Sequence, residues 1–361
     1  MTLLKVDNLT VSFPTSDGVV QAVRGLSFEV EAGQTLGIVG ESGSGKSVSA
    51  LTMLGLNPGA DITGSVTFDG RDMLRLSPRE LQQIRGADIA MIFQDPLSAL
   101  HPHFRVGWQI REAIRAHTDV SNAEARHMAV DLLRLVNIPQ PDRRVDAFPH
   151  ELSGGMRQRV MIAMALALKP KLLIADEPTT ALDATVQAQL MELLASMQRE
   201  VDMAMIVITH DLGVVARIAD KVQVMYAGRA AEMADANTLF HQTHHPYTRG
   251  LLASLPGSAI TSSRLLPIVG QPPSLINLPS GCAFHPRCPF AMDRCMREMP
   301  SLMAVEGGED HLSACYLPRE MVGVSVAVDT ARQRYAADKQ GLRAVRLPGV
   351  AAAREEVPAL A

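Results

Sequence analysis

Three stretches carry residues of the right type and spacing to work on a phosphate: Gly40–Ser47 reads GESGSGKS, Leu152–Arg159 reads LSGGMRQR, and Leu172–Asp183 reads LLIADEPTTALD. The first fits G-x-x-x-x-G-K-[ST], a phosphate cradle where it joins a strand to a helix. Gly43 and Gly45 put no side chain in the way, so backbone N–H groups around Ser44 can converge on phosphate oxygens. The Lys46 ammonium is placed to neutralise β and γ phosphates, and the Ser47 hydroxyl offers Mg²⁺ a hard oxygen. A Gly/Ser surface loop has the same composition, but two carboxylates downstream argue against it. Asp176 is placed to hold Mg²⁺ through water, and Glu177, one residue on, to polarise an attacking water as general base. His210, after a further apolar run, adds an imidazole at the same edge.

Such chemistry needs a sheet that brings these positions together. The apolar runs Thr35–Val39, Leu172–Ala175 and Ile206–Thr209 read as buried parallel strands, and ligands of such sheets bind at the carboxyl ends of the strands. The cradle opens a helix over Ser47–Leu56, whose positive end faces the anion. Met156–Leu168 reads as a second helix, stopped by Lys169-Pro170, with Ser153, Gly154 and Gly155 at its N-terminus. Ala184–Arg199 is a third, and its stripe of Leu190, Leu193, Leu194 and Met197 fits packing on the sheet. Upstream of Ser153 the pattern is helical over Val106–His117 and again after Ser121-Asn122-Ala123-Glu124, which fits a capping box.

In this order the motifs resemble those of the nucleotide-binding subunit of an ABC transporter, over about Leu3–Met233. LSGGMRQR is the most specific piece, since it marks ABC ATPases and is absent from other phosphate-loop enzymes. The resemblance implies an α/β phosphate-loop ABC ATPase, with a RecA-like core sheet, an antiparallel β part and a helical subdomain over about residues 95–160. It implies an ATP and Mg²⁺ site built from Gly40, Glu41, Ser42, Gly43, Ser44, Gly45, Lys46, Ser47 and Asp176, with Glu177 and His210 serving hydrolysis. Gln94 in MIFQDP resembles the Q-loop glutamine that meets Mg²⁺ and the attacking water. Phe13 in TVSF resembles the aromatic that stacks on adenine. Ser153, Gly154, Gly155 and Gln158 would bind an ATP held by the partner subunit. Asp183 resembles the D-loop aspartate at the dimer interface, and also suits the N-cap of the helix after it. Cradle and LSGG of one chain then face different sites, which implies a head-to-tail dimer with an identical or sister chain. Where relatives commonly read SLNP, this chain has Ala99-Leu100-His101-Pro102, so its contact with the membrane subunits differs in detail.

The 361 residues suggest two or three domains, and 47% hydrophobic content fills a sizeable core. A formal net charge of −4 implies no strongly basic surface, so nucleic acid is not an expected partner. No apolar run nears the roughly 18 residues that span a bilayer, and the N-terminus lacks a signal-peptide pattern. Transport then needs separate membrane subunits, and the resemblance implies two permeases with this chain peripheral on their cytoplasmic face and an extracytoplasmic solute-binding protein engaged indirectly. The 19 methionines are dispersed as core filler.

Past residue 235 the chain turns loop-rich, with Gln271-Pro272-Pro273 and Leu278-Pro279-Ser280-Gly281. His245–Pro256, HPYTRGLLASLP, resembles the C-terminal region of dipeptide and oligopeptide importer ATPases; the clustered His241, His244 and His245 could hold a metal, but with His244 and His245 before a Pro turn they are expected as scaffold. Cys282, Cys288, Cys295 and Cys315 give C-x5-C-x6-C-x19-C, the whole cysteine complement within 34 residues. Four clustered thiolates suit a [4Fe–4S] cluster or zinc, and the spacing resembles the iron–sulfur segment of some peptide-importer ATPases, while zinc sites favour C-x₂₋₄-C pairs. The expected division is residues 1–235 as nucleotide-binding domain, 236–318 as a small C-terminal region with the cysteines, and 319–361 as a poorly ordered tail.

The function implied is the ATPase subunit of a dipeptide/oligopeptide-type importer. Nickel or glutathione as cargo keeps the same machine. A soluble ABC ATPase of repair or translation is disfavoured by the single cassette, because those proteins usually carry two cassettes or a long coiled coil.

Overall fold

The computed structural model describes residues 1–95, 99–178, 184–254, 268–306 and 308–318. Among them the backbone forms two sheets. The smaller is antiparallel, in the order β2-β1-β4-β5, from β1 (Thr2–Thr15), β2 (Gly18–Glu31), β4 (Asp61–Phe68) and β5 (Arg71–Asp72). On β2, buried Leu26, Phe28 and Val30 alternate with Ser27, Glu29 and Glu31, the period of a sheet with one wet face.

The larger sheet runs β11-β12-β10-β9-β3-β8-β7-β6. Its strands are β3 (Thr35–Val39), β6 (Ile89–Ile92), β7 (Leu172–Asp176), β8 (Ala204–Thr209), β9 (Lys221–Tyr226), β10 (Arg229–Asp235), β11 (Met303–Val305) and β12 (Gly308–Ser313). From β9 to β6 it is parallel, and every residue of β3, β7 and β8 is buried, as strands covered on both faces require. Leu172, Ile174, Ala204, Ile206 and Ile208 face the core shared with the small sheet; Leu173, Ala175, Met205 and Val207 face the helical side.

The helix after the cradle runs Lys46–Met53, shorter than its apolar pattern. Gly55 stops it: in the left-handed region at φ 63, it donates to Thr52 O while Leu56 N–H donates to Leu51 O. Ser153 caps the helix Gly154–Leu166, which begins two residues earlier than its pattern and ends before Lys169 turns left-handed ahead of Pro170. Helices Val106–Arg115 and Asn122–Leu135 pack beside it, with Ser121 Oγ capping the second.

The C-terminal segment extends the cassette rather than hanging from it. β12 pairs antiparallel with β10, Glu232 opposite Ser313, and β11 adds the edge. Helices Ala236–His241 and Pro246–Ala253 join a third core around Tyr226, Tyr247, Phe240 and Phe284. Pro246 sits in the first turn of its helix, so the expected Pro turn is a helix start: there the missing N–H costs no bond. No described helix is long and apolar enough to cross a membrane. Asp183 and the tail 319–361 lie outside the described residues.

Candidate active site

The cradle leaves the carboxyl end of β3 and meets the ends of its neighbours β8 and β9, with β7 one strand further. Gly43, at φ 77, has open space where a Cβ would stand, whereas a Cβ on Gly45, at φ 100, would strike the Ala22 carbonyl. Glycine is therefore required at Gly45 by the fold, while at Gly43 the left-handed backbone favours glycine and the space beside it stays open, as a phosphate held by the loop's N–H groups needs. Lys46 is buried; its Nζ donates to Gly40 O at 2.7 Å and Glu41 O at 2.9 Å. Burial lowers its pKa, and the charges of Glu177, Asp176 and Glu41 oppose that shift.

Ser47 Oγ donates to Asp176 Oδ1 at 3.0 Å, which pairs the hydroxyl and carboxylate expected at Mg²⁺. Burial raises the Asp176 pKa, the Glu177 charge adds to the rise, and Ser47 and Lys46 oppose it. A cation would relieve that cost, so the donor set fits Mg²⁺.

Glu177 takes φ 47, a left-handed value rare outside glycine, and its N–H donates to Ile208 O at 2.8 Å. Such a conformation costs on the order of 1–3 kcal/mol. Its Oε2 accepts from Gln94 Nε2 at 3.1 Å, and its Oε1 lies 3.3 Å from His210 Nδ1. The Glu177 side chain is 14% exposed and that of His210 62%, so the imidazole stands on the open side. The structure thus gathers Gly40–Ser47, Gln94, Asp176, Glu177 and His210 at one sheet edge.

The remaining expected residues stand on other elements. Phe13 is half-buried on β1 opposite Val20, against the core of the small sheet. Ser153 and Gly154 are exposed at the start of their helix; Gln158 is buried and donates to Pro178 O. That helix packs toward β6, three strand spacings or about 14 Å from β3 across the sheet.

Sequence reasoning missed two residues that hold Glu41 and a third that braces one of them. Tyr247 OH accepts its N–H at 2.8 Å; Arg287 binds its carboxylate through both terminal nitrogens, at 2.6 and 2.9 Å; Tyr226 OH meets Arg287 Nη1 at 3.3 Å. Their signal was composition alone, a lone Arg beside Cys288 and a Tyr in HPY.

The four cysteines are free thiols that line one narrow cavity, together with His245, Phe284 and Phe290. Burial raises the pKa of Cys282 and Cys288 and pushes Cys315 up to about 11, the neighbouring sulfurs adding to the rise. The ready-made metal geometry expected from their spacing is not there: among the described residues no three His, Cys, Asp or Glu side chains converge closely enough to hold a metal ion. His244 and His245 are scaffold, as expected: both backbone N–H groups donate to Glu232, and the His244 ring meets Ser313 Oγ and Leu317 O.

Comparison with known proteins gives the chain's family. Residues 23–180 match the ABC transporter family, and residues 231–295 match the family "Oligopeptide/dipeptide transporter, C-terminal region". The oligopeptide transport ATP-binding protein OppD of Salmonella typhimurium is 53% identical over 319 residues, 88% of this chain and 94% of that protein. The dipeptide transport ATP-binding protein DppD of Escherichia coli is 49% identical over 325 residues, 90% of this chain and 99% of that protein. The solved dimeric ATP-binding cassette MJ0796, bound to ADP and Pi after hydrolysis, superposes with a TM-score of 0.60 at 29% identity, covering 64% of this chain and 98% of that one. Identity near one half along almost the whole of these relatives, over a fold that assembles the phosphate loop, the acidic pair and the histidine, places the chain in the family of ATP-binding subunits of dipeptide/oligopeptide ABC transporters.

Proposed function

We propose that this chain powers a peptide importer by hydrolysing ATP at a composite site, its phosphate loop holding the nucleotide and the Ser153 helix of a second ATP-binding subunit closing over the γ-phosphate. The observation that carries it is Glu177, held between Gln94 and His210 beside the Ser47–Asp176 pair. Backbone N–H groups of Gly43–Lys46 and the Lys46 ammonium bind the triphosphate. Ser47 and Asp176 would hold Mg²⁺, which would supply positive charge to offset that of the triphosphate. Glu177 accepts a proton from water lined up with the γ-phosphorus, Gln94 orients that carboxylate, and His210 faces the phosphate from the open side. Phe13 stacks on the adenine.

Support for the second subunit comes from the fold, because the helix that Ser153 opens packs on the helical side with Ala90 and Ile92 of β6, while the cradle follows β3, three strands away in the sheet. Partners are an identical or sister ATPase and two permease subunits at the cytoplasmic face of the membrane, with an extracytoplasmic binding protein acting through the permeases. Residues 1–235 form the nucleotide-binding part and 236–318 an appendage on its sheet edge. Reconstitution with the neighbouring permease pair in peptide-loaded vesicles tests the whole: ATP-dependent peptide uptake that stops on Glu177→Gln is expected. Uptake unaffected by that substitution contradicts it.

The four cysteines are further proposed as ligands of a [4Fe–4S] cluster, on the ground that soft thiol donors alone of their type share one cavity. Iron and sulfide near four atoms of each per chain, lost in Cys315→Ser, are expected after anaerobic purification. Iron-free protein overturns this part and leaves the ATPase assignment standing.

A further inference from the structure

Glu41, the second residue of the phosphate loop, is held at three points. Its carbonyl accepts from Lys46 Nζ at 2.9 Å, its N–H donates to Tyr247 OH at 2.8 Å, and its carboxylate takes a two-pronged bond from Arg287 at 2.6 and 2.9 Å. Two of these anchors come from the C-terminal segment, more than two hundred residues away: the sequence separation to Arg287 is 246. The Arg287 side chain is only 5% exposed. Its guanidinium stands 5.8 Å from the Tyr226 ring and 6.0 Å from the Phe284 ring, and its Nε donates to Val269 O at 3.2 Å. A planar fork fixed this way dictates where a carboxylate can sit, which a lysine could not do. The next residue, Cys288, lines the thiol cavity.

We propose that Arg287 is a positioning residue for nucleotide binding: through Glu41 it holds the phosphate loop in its binding shape and neutralises a carboxylate that would otherwise face the triphosphate. The proposal rests on Gly40–Ser47 being the triphosphate cradle. It makes the cysteine-bearing segment part of the nucleotide site's scaffold, so anything that shifts Cys288 also shifts ATP affinity, and ATP binding resists that shift equally.

The test is titration of the full-length chain with a fluorescent ATP analogue and Mg²⁺, alongside steady-state hydrolysis. Arg287→Met is expected to raise Kd and KM about tenfold with kcat within about twofold, and Arg287→Lys to raise Kd about threefold. In a Glu41→Gln background the same Arg287→Met change is expected to cost no more than about twofold, because the charge it neutralised is gone. A merely structural loss would cost the same in both backgrounds, and that result overturns the proposal. So does an unchanged Kd in Arg287→Met or, should that variant fail to fold, in Arg287→Lys. Lys46→Ala measured in parallel separates the two levels. Binding lost there but unchanged in the Arg287 variants removes only the positioning role; binding unchanged in Lys46→Ala removes the cradle itself.

Discussion

The Glu177 carboxylate lies 3.3 Å from His210 Nδ1, although the two residues follow different strands, β7 and β8, and stand 33 positions apart in the sequence. Their strands are adjacent and in parallel register, Asp176 opposite Ile208, so the residue after each strand reaches the same edge. His210→Ala should lower kcat about 100-fold while Kd for ATP moves little, because the imidazole faces the open side and carries none of the loop. Phosphate release and nucleotide titration on the same preparation check this.

Gly43 and Gly45 should fail differently. Gly45→Ala drives a methyl into the Ala22 carbonyl from a left-handed backbone, and a loss of about 2–4 kcal/mol in unfolding free energy is expected. Gly43→Ala meets no protein atom, so its stability cost is about 1 kcal/mol while its methyl occupies phosphate space. Denaturant melts paired with ATP titration should show the first variant unstable and the second stable but weak in binding.

Glu232 should anchor the C-terminal segment. It is fully buried, accepts from the His244 and His245 N–H groups, and lies 2.7 Å from His311 Nε2. Glu232→Ala leaves those donors unpaired and should cost about 3–5 kcal/mol in thermal or chemical denaturation. Burial pushes this carboxyl up, but His311 and the backbone donors outweigh burial and leave its pKa below the usual 4.5. Its contribution is therefore complete above the ordinary carboxylate value and is lost as pH falls through the lower folded one. Stability measured against pH should lose part of its acid limb in Glu232→Gln.

The cassette was legible because its chemistry is local in sequence. GESGSGKS, Asp176-Glu177 and His210 each follow at once on an apolar strand, and parallel pairing brings strand ends to one edge without further information. Helix ends were legible less well, since the stop at Gly55 is a bond pattern that an apolar stripe does not report. What joins Arg287 to Glu41 or β12 to β10 was hidden, because such contacts depend on how a late segment folds back over the sheet edge. The cysteine spacing pointed to a metal-ligand set, whereas the structure shows four thiols lining one cavity without converging on an ion, because spacing along a loop-rich segment does not fix side-chain distances.

The central claim is that Glu177 activates the water, and single-turnover hydrolysis by Glu177→Gln, with ATP binding measured on the same sample, tests it most directly. Turnover is expected to fall about 1000-fold with Kd within about twofold of the unsubstituted chain. Hydrolysis that persists at the original rate in a variant still able to bind ATP would contradict the assignment.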